Sequence, residues 1–161
     1  MNSGRKGRAP LAAACLALLA VVAGCGRDTV MEEAGDRLTL RTFAKAVEAS
    51  GIEDQLETDK PMTLFAPTNA AFDKLKPGML DQLMETNNRA LLRDIIEFHI
   101  VPGTLTSKDL ADGASIRTRE GKRIHIRVVK GEIMVNEARV VRRDIKCSNG
   151  VIHMIDRVLI P

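Results

Sequence analysis

Ser148, His153 and Asp156 are the residue types of a hydrolase triad. A serine nucleophile needs a histidine base within hydrogen-bond reach and a carboxylate to orient that base. The spacing argues against such a set. His153 and Asp156 are three apart in a strand-like run, so their side chains leave opposite faces. Ser148 also lacks the Gly-x-Ser-x-Gly elbow that presents such a nucleophile. A zinc site built from His125, Cys147 and His153 has no close ligand pair of the Cys-x-x-Cys or His-x-x-x-His kind. Gly121-Lys122 lacks the glycine frame of a phosphate loop. Glu32-Glu33 and Glu53-Asp54 stand at solvated or helix-start positions. Arg142, Arg143 and Lys146 near Cys147 would favour a thiolate, but a small buried residue beside a turn is the simpler reading. His99 closes an apolar helical stripe, where an imidazole can donate to a helix-end carbonyl. The chain is therefore read as non-enzymatic, with no catalytic residue, no metal and no cofactor.

Cys25 carries a chemical expectation of another kind. Basic Arg5-Lys6-Gly7-Arg8 precedes a charge-free apolar run from Leu11 to Ala23. This is the layout of a secretory signal, and the run falls short of the roughly 20 residues a membrane span needs. It ends in Val22-Ala23-Gly24-Cys25, small residues before a cysteine, which resembles a bacterial lipobox. Cleavage there removes 1–24 as a lipoprotein signal peptide and exposes Cys25 for diacylglycerol and palmitate-type acylation. Residues 25–37 are then a short polar tether, and 38–161 the domain. The product is held at the cell envelope by its lipid, facing outward from the cytoplasm. Gly26 after the cysteine fits the outer membrane, if the host has one.

Processing simplifies the rest. Cys15 goes with the signal and Cys25 is acylated, which leaves Cys147 and no disulfide within the domain. A core must hold it, and the remaining length suffices for one. The formal net charge of +3 is that of Arg5, Lys6 and Arg8, so the mature chain is neutral. Its basic residues are unevenly placed: Arg117 to Lys146 holds ten Lys/Arg against four Asp/Glu. Arg123, Arg127, Arg139, Arg142 and Arg143 form a basic patch if their segments pair side by side, unless Glu120, Glu132, Glu137 and Asp144 interleave and neutralise it. Tyr and Trp are absent and Phe numbers four, so the stacking platforms of nucleic-acid binders are missing.

Elements must position these residues. Leu40, Phe43, Ala44 and Val47 share a helical face, with Thr39 as cap and Gly51 as stop. Met62 to Phe65 is a strand. After Pro67, Thr68 or Asn69 caps a helix carrying Ala71, Phe72 and Leu75. Met79 to Met84 is a short helix. Asn87 opens a longer one, with Leu91, Leu92, Ile95, Ile96 and His99 on one stripe. Leu105 to Leu110 reads as a turn and a brief helix. From Ile116 the period becomes two, through Ile124, Ile126 and Val128, then Ile133 and Val135, with turns at Lys130-Gly131 and Ser148-Asn149-Gly150. Val151 to Ile160 is the last strand. Helices first and antiparallel strands later give an α+β class.

Three motifs then resemble one family. Thr63-Leu64-Phe65-Ala66-Pro67-Thr68-Asn69 with Ala71-Phe72 is similar to the first signature of fasciclin domains. Asn149-Gly150-Val151-Ile152-His153-Met154-Ile155-Asp156, closing with Val158-Leu159 and Pro161, is similar to the second. Phe98-His99-Ile100-Val101-Pro102-Gly103 resembles the segment between them, with Phe98 where the family usually has Tyr. The resemblance implies a fasciclin-like β-sandwich or wedge packed against a helical layer. It also implies structural roles for Thr63, Phe65, Pro67, Thr68, Asn69, Phe72, His99, Asn149, Gly150, His153 and Asp156. The expected function is adhesion or extracytoplasmic binding by a lipid-anchored monomer. Its partners are the membrane, through the lipid, and an extracytoplasmic protein or polysaccharide, with no nucleic acid. The alternative is an envelope protein that binds a small molecule or lipid in a pocket between helices and sandwich.

Overall fold

A computed structural model describes Thr29, Val30, Ala34 and residues 37–161. The signal segment, Cys25, Glu32-Glu33 and most of the tether lie outside the described residues. A 3-10 turn at Leu38–Leu40 leads into α1 (Arg41–Ser50), α2 (Glu53–Leu56), β1 (Met62–Pro67), α3 (Asn69–Asp73) and α4 (Met79–Met84). A second 3-10 turn, Thr86–Asn88, leads into α5 (Arg89–Phe98). The strands β2 (Ile100–Pro102), β3 (Ser115–Arg117), β4 (Arg123–Val129), β5 (Glu132–Val135), β6 (Ala138–Cys147) and β7 (Gly150–Ile155) follow. The α+β class is as expected, and the strands form one seven-stranded sheet in the order β2-β1-β7-β6-β5-β4-β3. Arg119 N–H donates to Ile100 O across 2.7 Å, which brings the two ends of the sheet together into a nearly closed barrel.

All sequence-adjacent strand pairs are antiparallel, but β1 and β7 run parallel, from Met62 opposite Gly150 to Pro67 opposite Ile155. The sequence pattern shows no such pair, because periodicity reports faces and not partners. These two strands are buried along their whole length. The reason is two cores, one on each side. Leu64 and Ile152 face a helix-side cluster with Phe43, Leu56, Phe72 and Ile96. Phe65 and Ile155 face a barrel interior with Phe98, Ile124, Ile126 and Val135.

Several boundaries differ from expectation. Thr39 is inside the first 3-10 turn, and α1 begins after Leu40 with no cap from its own segment. Gly51 does stop α1, at φ +70°, donating its N–H to Val47 O and Glu48 O. Asn88, not Asn87, precedes α5, and it makes no side-chain cap. Leu91 is 50% exposed, so the buried stripe of α5 is Leu92, Ile95, Ile96 and Phe98. The 105–110 segment forms turns and no helix. β7 ends at Ile155, short of Ile160; Asp156 still donates its N–H to Arg139 O at 3.0 Å, while its carboxylate, in place of its carbonyl, accepts the Arg139 N–H at 2.8 Å.

Candidate functional site

The signature residues meet where β1 and β7 adjoin, and their polar atoms bind the domain to itself. Thr63 is fully buried. Its hydroxyl donates to Gly103 O at 2.7 Å and accepts the Leu105 N–H at 2.8 Å, which fixes the chain leaving β2. Pro67 ends β1, and the next residue, Thr68, donates its N–H to Ile155 O at 3.0 Å. Thr68 stands at the N-cap position of α3, yet its side chain makes no cap bond. Asn69 does not cap its own helix either. Its Oδ1 accepts the Thr42 N–H of α1 at 3.1 Å, and its Nδ2 donates to Leu38 O at 2.8 Å. The asparagine caps a helix that begins 28 residues earlier. The abrupt strand-to-helix turn therefore anchors the helical layer to the sheet.

The second signature does the same work from β7. Asn149 donates to Leu56 O and Thr58 O, each at 2.9 Å, and accepts the Val30 N–H at 2.8 Å. Gly150 lies so close to β1 that a Cβ there would sit 1.9 Å from Met62 O. Asp156 holds Lys74 through its Oδ2 at 3.1 Å. Burial pushes its carboxyl up, but the Arg139 N–H and the Lys74 ammonium outweigh that and leave it below the ordinary value.

The two buried histidines are both fully bonded. His99 Nδ1–H donates to Ile95 O at 2.7 Å, and its Nε2 accepts the Leu159 N–H at 2.9 Å. Burial lowers its pKa to about 4, against the smaller opposing pull of Ile95 O. This neutral ring ties the C-terminal segment to α5. His153 stacks on Phe65, with ring centroids 5.5 Å apart. Although it alternates with apolar neighbours along β7, it too is buried, because β7 is covered on both sides. Its Nε2–H donates to Leu105 O at 2.8 Å, and its Nδ1 accepts the Asp144 N–H at 3.3 Å. Burial pushes its pKa down.

Ser148, His153 and Asp156 are thus not brought together as a triad, since both His153 nitrogens and the Asp156 carboxylate are engaged elsewhere. Among the described residues no three His, Cys, Asp or Glu side chains gather as a metal site. His125 is exposed on β4, apart from buried His153. Sequence reasoning missed a polar staple. Asp144, at φ +60°, accepts the Ser107 N–H at 2.7 Å and the Ser107 hydroxyl. Together with His153 it pins the 104–112 segment over the barrel. No periodic signal marks it, because Asp144 sits in a β-bulge region of β6.

The basic residues lie on the outer face of the sheet. Arg127, Met134 and Arg139 form one cross-strand row, and Arg123 stands opposite Arg117. Arg142 stands opposite Met154 and, like Arg143, is exposed. Neutralisation is partial. Glu132 pairs with Arg139 at 3.3 Å and Glu120 with Lys122 at 3.5 Å, and Asp144, though hydrogen-bonded by Ser107, keeps a charge that Arg143 feels. Two clefts adjoin at Pro102 and Arg119. One, of about 420 Å³, runs between α2 and β2 past Gln55, Met62 and Ile100. The other, of about 680 Å³, lies between the outer edges of β2 and β3. Arg119 divides them, its guanidinium bonded to Gln55 Oε1 and lying 4.0 Å from the Glu97 carboxylate.

The fasciclin domain model matches residues 38–161. Protein sll1483 of Synechocystis sp. is 36% identical over 145 residues, covering 88% of this chain and 80% of that protein. The cell surface glycolipoprotein MPB83 of Mycobacterium bovis is 33% identical over 145 residues, covering 87% of this chain and 64% of that protein. Human periostin is 39% identical over 123 residues, which is 76% of this chain but 14% of periostin. The solved FAS1 domain pair of the insect cell adhesion molecule fasciclin I shares the fold, with a TM-score of 0.75 and 24% identity over 84% of this chain and 52% of that one.

Proposed function

This chain belongs to the fasciclin-domain family, and on that premise we propose that it is a lipid-anchored cell-envelope protein displaying one fasciclin domain for adhesion or extracytoplasmic binding. The observation that carries this reading is how the signature motifs use their polar groups. Thr63, Asn69, His99, Asn149, His153 and Asp156 all bond within the domain. Such motifs build a rigid platform, and work is left to its surface. The names of relatives support the setting: one is a cell surface glycolipoprotein, and the insect protein of shared fold is a cell adhesion molecule.

Anchoring comes from Cys25, and more than one acyl chain is needed for stable retention. Replacing Cys25 with Ser is expected to abolish labelling by radioactive palmitate and release the protein from membranes; unchanged retention would overturn the anchor. The outer basic face, with Arg123, Arg127, Arg139, Arg142 and Arg143, is offered to an acidic polysaccharide or anionic partner. Its attraction weakens as salt rises. Retention on immobilised heparin at low salt, lost when Arg123, Arg127 and Arg142 are reversed to Glu, is the expected result. A second reading, small-molecule or lipid binding, rests on the cleft of about 420 Å³ between α2 and β2, a size that suits a small ligand. Ligand-induced thermal stabilisation that Met62→Trp removes would favour it.

A further inference from the structure

A closed barrel has no strand edges, and this barrel closes at one point, the Arg119 N–H to Ile100 O bond. Beyond that bond, among the described residues, no ladder joins the two edge strands, and register decides which backbone groups face the other edge. Ile126 N–H donates to Ala114 O and Thr118 N–H donates to Lys122 O, on either side of the Ile116–Ile124 pair. Alternate residues of an antiparallel strand face its partner. Ala114, Ile116 and Thr118 therefore face β4, and Ser115 and Arg117 turn their N–H and C=O groups outward. The same count applies to β2. Phe65 N–H donates to His99 O and Gly103 N–H donates to Pro61 O, so Ile100 and Pro102 face out. Pro102 has no N–H to offer, and Ile100 O is already taken. That leaves β2 the Ile100 N–H and the Pro102 C=O, while β3 presents the fuller row, the N–H and C=O groups of Ser115 and Arg117.

The cleft of about 680 Å³ lies against that edge. Leu105 and Ile116 give it an apolar floor, and Arg117 and Arg119 a positive rim. Asp109 lines it too and keeps its negative charge, since the Thr106 N–H at 2.8 Å and the Thr106 hydroxyl at 2.7 Å stabilise the ionised carboxylate, so the rim is positive by two arginines over one acid. Ser115 O also accepts from Arg123 Nη1 at 3.3 Å, which leaves the Ser115 N–H and both groups of Arg117 for a ligand.

We propose that the open edge of β3 is a docking site for an extended acidic peptide segment of a partner protein, which adds to the sheet as a further strand. An extended backbone supplies donors and acceptors at the two-residue repeat that Ser115 and Arg117 present. Alternate side chains of the ligand meet the Leu105–Ile116 floor, and acidic ones meet Arg117 and Arg119. The site does not use the anchor; it shares Arg117 with the outer basic face, and backbone protection at Ser115 is the readout that separates strand addition from charge attraction to that face.

The test uses the chain with Cys25→Ser and a capped peptide alternating Glu and Val, followed by amide NMR and hydrogen exchange. Binding is expected to shift resonances of 115–119 and to slow exchange at the Ser115 and Arg117 amides. Ser115→Pro, which removes an outward N–H from an edge strand that tolerates proline, is expected to weaken binding roughly tenfold. Arg117→Glu is expected to reverse the preference toward a Lys-Val peptide. A Glu-Val peptide N-methylated along one edge leaves the protein untouched and is expected to lose binding. Binding that survives N-methylation, shifts confined to the outer face of β4–β6, no shift at β3, or equal displacement by an acidic oligosaccharide without protection of Ser115 would each overturn the proposal.

Discussion

Single atoms decide whether the signature residues are architectural. His99 is neutral in the fold, with its pKa lowered to about 4 by burial, against about 6.5 when unfolded. The unfolded chain binds the proton first, so the stability tied to His99 is complete above the unfolded pKa. It is lost as pH falls through the window from about 6.5 to about 4, by about 3 kcal/mol. Denaturant unfolding across this window is expected to show that loss, with a smaller slope in His99→Gln; identical slopes for the two proteins would contradict it. Gly150 makes a steric claim. A Cβ there would meet Met62 O at 1.9 Å, a backbone atom that can move only with its strand. Gly150→Ala is expected to cost about 1–3 kcal/mol, read as a lowered melting temperature. The sequence carries these residue types but not their partners. Asn69 is recognisable as a capping residue, yet the helix it caps is α1, because local spacing cannot report a neighbour brought up by folding.

Elements were legible where one face is buried and obscure where two faces or none are. α1 and β5 follow their apolar periods, α5 does so except at Leu91 and β4 except at exposed Val128, and the turn at Lys130-Gly131 falls where the residues indicate, with both at positive φ. β7 is buried throughout, so alternation along it says nothing, and it ends at Ile155, where the Asp156 side chain takes the place of a backbone acceptor for Arg139. The 105–110 turns are held by Thr63 and His153, residues distant in sequence. The sheet divides the core in two, and this has an energetic consequence. Phe72 belongs to the helix-side cluster and Ile155 to the barrel interior. Phe72→Ala is expected to cost about 3–5 kcal/mol and Ile155→Ala about 2–5 kcal/mol. Because the two side chains belong to different clusters, the double variant is expected to lose the sum to within about 0.5 kcal/mol. Near-wild-type melting of either single variant would mean that the core is misassigned.

At the scale of the molecule, the family fold places β1 and β7 side by side between helices and barrel, and the signatures at that junction hold the layers together. The family and the α+β class were readable from three motifs in order, whereas the expected sandwich or wedge is one seven-stranded sheet nearly closed into a barrel. The binding surface was not, because exposed residues answer to a partner that the chain does not encode. The outer arginines illustrate this: their alternation gives the face, but only strand pairing puts Arg127 and Arg139 in one row. The proposed function requires a folded domain displayed for binding outside the cytoplasm. The most direct measurement is binding of the Cys25→Ser protein to purified envelopes of its host, titrated to saturation beside the same protein destabilised by Phe72→Ala and Ile155→Ala together. Saturable binding by the folded protein that the destabilised one loses is the predicted result. Retention no greater than that of the destabilised protein would contradict the account.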